Sequence, residues 1–154
     1  MIIDTLRERE ETVTFAESCT GGRIAVAFTA VSGASSVLKG SCITYSNEIK
    51  HHWLGVEMSV LQQFGAVSQE CVSQMLDGIQ TIAQSDYALA VSGIAGPTGG
   101  TALKPVGTVY IGIKTPDSTK IFQTLMQGNR EEIQEKSVDF AIETLAKYLK
   151  IDIF

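Results

Sequence analysis

From Thr12 to Ser18 apolar Val13 and Phe15 alternate with Thr14 and small residues, the period of a strand. From Thr20 to Ser32 the spacing changes. Ile24, Ala27, Phe28 and Val31 recur every three or four residues and predict a helix. Further strands are predicted over Val37 to Tyr45, Tyr87 to Val91, Val106 to Lys114 and Lys120 to Met126, the last two as a hairpin across Pro116-Asp117-Ser118. Between Ser68 and Ser85 the stripe Cys71, Val72, Met75, Leu76, Ile79, Ile82 and Ala83 predicts an amphipathic helix capped by Ser68. Shorter helices are expected at Met1 to Glu11, from Asn47 as cap through Leu54, and over Ser59 to Phe64. A last helix opens at Asn129, where Glu132 completes a capping box, and buries Ile133, Phe140, Ala141, Leu145 and Tyr148.

Strands alternating with helices, plus one hairpin, predict an α/β fold: a three-layer α/β/α sandwich on a mixed, mostly parallel sheet of about five strands. No repeat, linker or low-complexity tract divides residues 1–154, so one domain is expected. Ligands of open sheets bind beyond the carboxyl ends of neighbouring parallel strands. Two such ends run into small-residue loops, Glu17-Ser18-Cys19-Thr20-Gly21-Gly22 and Ser92 to Gly100.

Composition narrows the function classes. A net charge of -5 argues against broad nucleic-acid contact, which needs a clustered basic face. No apolar run approaches the length of a membrane span, and the charged start MIIDTLREREE lacks the order of a signal peptide, so a cytoplasmic protein is expected. Three cysteines, Cys19, Cys42 and Cys71, have neither a disulfide pattern nor metal-ligand spacing.

The chemistry on offer sits in the two loops. Ser92 to Gly100 lacks the lysine of a phosphate-binding P-loop and the spacing of a dinucleotide fingerprint, but its backbone can approach a ligand closely, with Ser92, Gly93 and Gly96 as candidate contacts. Ser18 is either a turn serine or a nucleophile at a helix start, where free N–H groups and the helix dipole also favour an anion. The sequence offers it no ready histidine base, because only His51 and His52 exist and as neighbours they point apart. A serine enzyme here needs a lysine or tyrosine base, and Lys50 and Tyr45 are candidates, each equally at home on a surface. Cys19 is a rival nucleophile or a small buried residue. Arg130, in the first turn of the last helix, runs against the dipole preference, as a residue held for an anionic ligand or a surface salt bridge would.

Six blocks in order, AESCTGG at 16–22, TYSNEIK at 44–50, GAVS at 65–68, SGIAGPTGG at 92–100, KPVGTVY at 104–110 and GNR at 128–130, resemble the CinA carboxy-terminal domain family, the nicotinamide mononucleotide deamidases. The resemblance covers nearly the whole chain. It implies a sandwich similar to anticodon-binding-like domains, in the form without an additional amino-terminal domain, and hydrolysis of nicotinamide mononucleotide to nicotinic acid mononucleotide and ammonia in pyridine nucleotide salvage, without metal or organic cofactor. It implies Ser18 as nucleophile, Tyr45 and Lys50 as its activating partners, Ser92 as a second hydroxyl and Arg130 as a substrate contact. Cys19, Thr20, Gly21 and Gly22 then join Ser92, Gly93 and Gly96 around the substrate, the Thr20-Gly21-Gly22 turn holding its phosphate or the oxyanion. A homo-oligomer, dimer or higher, is expected, with no membrane or direct nucleic-acid partner.

Departures from the family pattern are Asn129, Gln134, Glu10 and Glu11, where the family has an aspartate, a second arginine and a basic-glycine turn. A cation at the substrate end is therefore expected to be missing, with affinity altered and activity kept. The alternatives are a non-catalytic nucleotide-binding module and an interaction protein linked to competence or DNA damage.

Overall fold

The computed structural model describes residues 1–151. Its elements follow the predicted order: α1 (Ile2–Glu8), β1 (Val13–Glu17), α2 (Arg23–Thr29), a 3-10 turn (Ala34–Ser36), β2 (Leu38–Ile43), α3 (Asn47–Leu54), α4 (Met58–Phe64), α5 (Gln69–Ala83), β3 (Tyr87–Gly93), β4 (Thr108–Lys114), β5 (Thr119–Leu125) and α6 (Arg130–Tyr148). The five strands form one sheet in the order β2-β1-β3-β4-β5. β1 pairs in parallel with both β2 and β3, while β4 is antiparallel to β3 and β5. Four of the five strands thus run the same way, and the mixed α/β/α sandwich expected from the pattern is the fold observed.

The two faces of the sheet carry side chains of different size, and this sets the depth of each layer. Val13 and Phe15 of β1 and Leu89 and Val91 of β3 point into the cluster that α1, α2 and α6 cover with Leu6, Ile24, Phe28, Ile133 and Leu145. Phe15 and Phe28 meet edge to face at 5.3 Å, a geometry that adds about 1 kcal/mol to the burial of the rings. Ala16, Ala88 and Ala90 point the other way, under Val72, Met75 and Leu76 of α5. Small residues let α5 lie close to the sheet: a Cβ on Gly112 of β4 would stand 2.7 Å from Leu76 Cδ1. On its outer flank α5 also abuts α3, because a Cβ on Gly78 would lie 1.9 Å from the Leu54 carbonyl oxygen. That seat fixes α3, which carries Lys50, relative to the sheet.

Local chemistry explains the boundaries. Asn129 and Glu132 form the expected capping box of α6, and Ser68 caps α5 by accepting from Cys71 N. For α3 the cap is Ser46, which accepts from Ile49 N, one residue before the predicted Asn47. Two predicted core positions are exposed. Val31 follows the end of α2, and Ile82 stands 60% exposed in the last turn of α5. Phe140 and Tyr148 of α6 are half-buried, and Gln134, Ser137 and Thr144 occupy buried positions that the periodicity did not single out. Among the described residues no helix is long and apolar enough to cross a membrane.

Candidate active site

At the carboxyl end of β1, Glu17 is fully buried and its carboxylate faces the start of α2. It accepts from Thr20 Oγ1 at 2.7 Å, Ile24 N at 2.9 Å, Ala25 N at 3.1 Å and Ser41 Oγ at 3.2 Å. The chain's own carboxylate therefore occupies the positive end of the α2 dipole and satisfies amides of its first turn. Those two amides are therefore not free for the phosphate or oxyanion expected at the Thr20-Gly21-Gly22 turn. Thr20 is buried against Glu17, and none of the three lines the cavity beside Ser18. Gly21 and Gly22 have φ of 58° and 97°, so they serve the turn.

Replacing Glu17 with alanine strands two backbone N–H groups and two hydroxyls, and a loss of about 3 kcal/mol of folding stability is expected. Urea unfolding checks it: the midpoint falls with the slope unchanged, whereas a loss under about 0.5 kcal/mol would refute this role for the carboxylate.

Beyond Glu17 the chain turns, and Ser18 N donates to Val91 O at 3.1 Å, which ties the end of β1 to β3. Alongside, Thr44 N donates to Glu17 O, so the end of β2 is held on the other side of β1. The chain then rises into α3, and Lys50 on its second turn sends its side chain back over the strand ends. Lys50 is 1% exposed. Its Nζ lies 2.9 Å from Ser18 Oγ, 2.8 Å from Thr44 O and 3.1 Å from Tyr45 O. No salt bridge among the described residues includes it.

That environment favours a neutral amine. Burial pushes the Lys50 pKa below its usual value. The opposing influence would come from thiolates at Cys71 and Cys19, and burial raises those thiols to about 11 and about 12, so both are protonated at neutral pH. A neutral amine has two N–H groups and one lone pair. In that neutral form, with the N–H groups donated to the Thr44 and Tyr45 carbonyls, the lone pair would face the Ser18 hydroxyl. The same raised pKa makes Cys19 a poor nucleophile at neutral pH.

Ser18 and Lys50 open onto a cavity of about 320 Å³ between the ends of β1 and β3. Its walls include Cys19, Ser92, Gly93 and Gly96 from the predicted set, and Arg130 and Tyr45 stand at its edge. Gly96 precedes a cis peptide to Pro97 and has φ of 79°, while a Cβ there would meet Val106 Cγ1 at 2.4 Å. Arg130 donates to Gly96 O at 2.7 Å and to the Tyr45 phenol oxygen at 3.1 Å. The Tyr45 side chain is 62% exposed and turned toward Arg130. It therefore contributes its carbonyl to Lys50 and its phenol to the rim beside Arg130.

With Lys50 serving as a neutral amine, the cation in the lining is Arg130, and no carboxylate among the described residues lines the cavity, so it favours an anionic ligand within an acidic protein. Ala66 and Val67 form a wall to which sequence reasoning gave no role, although they lie in the GAVS block. Lys104 clamps that wall by donating to Phe64 O at 2.6 Å. Among the described residues no group of three or more His, Cys, Asp or Glu is arranged to hold a metal ion.

Comparison with known proteins fits this arrangement. The family model described as the CinA C-terminal domain matches residues 1–149. A CinA-like protein of Endomicrobium trichonymphae is 48% identical over 144 residues, which is 94% of this chain and 34% of that protein. A putative competence-damage inducible protein of Caldanaerobacter subterraneus is 43% identical over 150 residues, 97% of this chain and 36% of the relative. The chain spans about a third of the length of the curated relatives it matches. Among solved structures, a competence/damage inducible protein from Agrobacterium tumefaciens superposes with a TM-score of 0.92 at 38% identity, covering 97% of this chain and 91% of that one. A CinA superfamily protein from Klebsiella pneumoniae gives 0.92 at 34% identity, with 97% and 93% covered.

Proposed function

We propose, since the chain belongs to the CinA C-terminal domain family, that it is an amidohydrolase converting nicotinamide mononucleotide to nicotinic acid mononucleotide and ammonia. The observation that carries this reading is the 2.9 Å contact between Ser18 Oγ and a fully buried Lys50 that has no carboxylate partner among the described residues. A lysine so placed activates a serine as a histidine would elsewhere.

In the proposed reaction the Ser18 hydroxyl attacks the carboxamide carbon and its proton passes to Lys50. The carbonyl oxygen gains the negative charge, beside backbone N–H groups of the glycine loop. Lys50 then returns the proton to the departing amide nitrogen, which leaves as ammonia, and an acyl ester remains on Ser18. Water, deprotonated by the same lysine, hydrolyses the ester to the carboxylic acid and regenerates Ser18. Arg130 at the rim supplies a cation for the nucleotide phosphate, and Ser92 supplies a hydroxyl within the cavity.

The test is ammonia release from nicotinamide mononucleotide by the purified chain without added metal, followed together with appearance of nicotinic acid mononucleotide. One ammonia per acid formed is expected. Tight nucleotide binding with no ammonia would overturn the reading in favour of a non-catalytic binding module.

A further inference from the structure

Four residues after Arg130 on α6, Gln134 is 6% exposed, and its Nε2 donates to the Cys19 carbonyl at 2.9 Å, across 115 residues of chain. A buried primary amide is costly unless its polar atoms are paired, and an apolar side chain would fill this core-facing position at lower cost. Its partner is the carbonyl of the residue after the proposed nucleophile. Residues four apart on a helix share a face. The same turn of α6 accordingly holds Gly96 O through Arg130 and Cys19 O through Gln134, one carbonyl from each loop that frames the cavity. Ser18 is clamped on its other side by its own N–H, which donates to Val91 O. Holding that oxygen fixes the plane of the Cys19–Thr20 peptide, one residue beyond Ser18, whose own carbonyl accepts from Gly21 N at 3.0 Å within the same turn.

We infer that Gln134 is a positioning residue, which holds Ser18 Oγ within reach of Lys50 Nζ without lining the cavity itself. The inference rests on the amidohydrolase reading above. Where the family pattern has an arginine, the neutral Gln134 donates to the turn that carries Ser18.

Two variants test it. Gln134→Met keeps the length and removes the donor, and Gln134→Glu keeps the shape and removes the donor when ionised. Expected is a fall in kcat of about 10- to 100-fold, because small misplacements of a reacting group have that effect. KM and the affinity for nicotinic acid mononucleotide should stay within about twofold, and labelling of Ser18 by a fluorophosphonate, followed by intact mass, should slow in parallel with kcat. A purely structural glutamine would instead lower the melting temperature and leave kcat per product-binding site unchanged, which overturns the inference. If the methionine variant does not fold, the glutamate variant answers the same question. Wild type that labels at Ser18 yet releases no ammonia overturns the substrate reading alone, and the labelling ratio of variant to wild type then decides for or against Gln134. Wild type that neither labels nor turns over overturns both.

Discussion

Ser18→Ala is expected to abolish ammonia release, with kcat lower by about 10³-fold or more, since removal of a nucleophile leaves only the binding and oxyanion contributions. The substitution deletes one oxygen from a nearly buried side chain whose backbone is held by Val91 and α6. Lys50 retains both of its carbonyl partners. The pocket should therefore keep its shape, and the variant should bind nicotinic acid mononucleotide as wild type does. Steady-state ammonia release paired with product binding measures the two separately. Rapid quenching of wild type should also trap the acyl ester as a mass increase on the peptide carrying Ser18. A variant within tenfold of wild type would show that some other group attacks the amide.

Lys50→Met should have an effect of similar size, about 10³-fold on kcat/KM, because the base that takes the serine proton is gone while the length of the side chain is kept. Its pH dependence is the sharper test. Burial lowers the wild-type Lys50 pKa from the ordinary lysine value of 10.5, and the proposed mechanism needs the neutral form. On the acid side of that ionisation log kcat/KM of wild type should climb by about one per pH unit and level off above it. In Lys50→Met the remaining activity should lack this limb. Stability carries the same signature. Between its lowered folded pKa and the unfolded value, Lys50 binds fewer protons in the folded chain than in the unfolded one, so wild-type stability rises with pH across that window relative to the variant. A variant that retains the acid limb would transfer the role of base to another group.

Neither effect was visible in any single stretch of sequence. The blocks around Ser18 and Lys50 carry the resemblance to the family, and the strand, helix and cap chemistry around them was legible because it is local: alternation at Val13 and Phe15, the stripe along Gln69–Ala83, and the Asn129–Glu132 box each depend on residues a few positions apart. At the site itself, partners outside the local pattern set the arrangement. The start of α2 read as an anion site, yet Glu17 from the strand before it fills that site. The Tyr45 phenol accepts from Arg130, 85 residues away, at the rim.

By itself the sequence determined the elements, their order, the mixed sandwich and the two loops in which chemistry had to lie, since hydrophobic period and turn residues report which face of each segment avoids water. Only the tertiary structure decided that Lys50 is buried against Ser18 without a counterion among the described residues, that Glu17 occupies the start of α2 while Arg130 stands at the cavity, and that Gln134 reaches the turn after Ser18. The reason is one of range. A pKa and a hydrogen bond between distant residues are set by what the packed layers bring within about 3 Å and by how completely they exclude water. The spacing of residues along the chain carries no direct record of either.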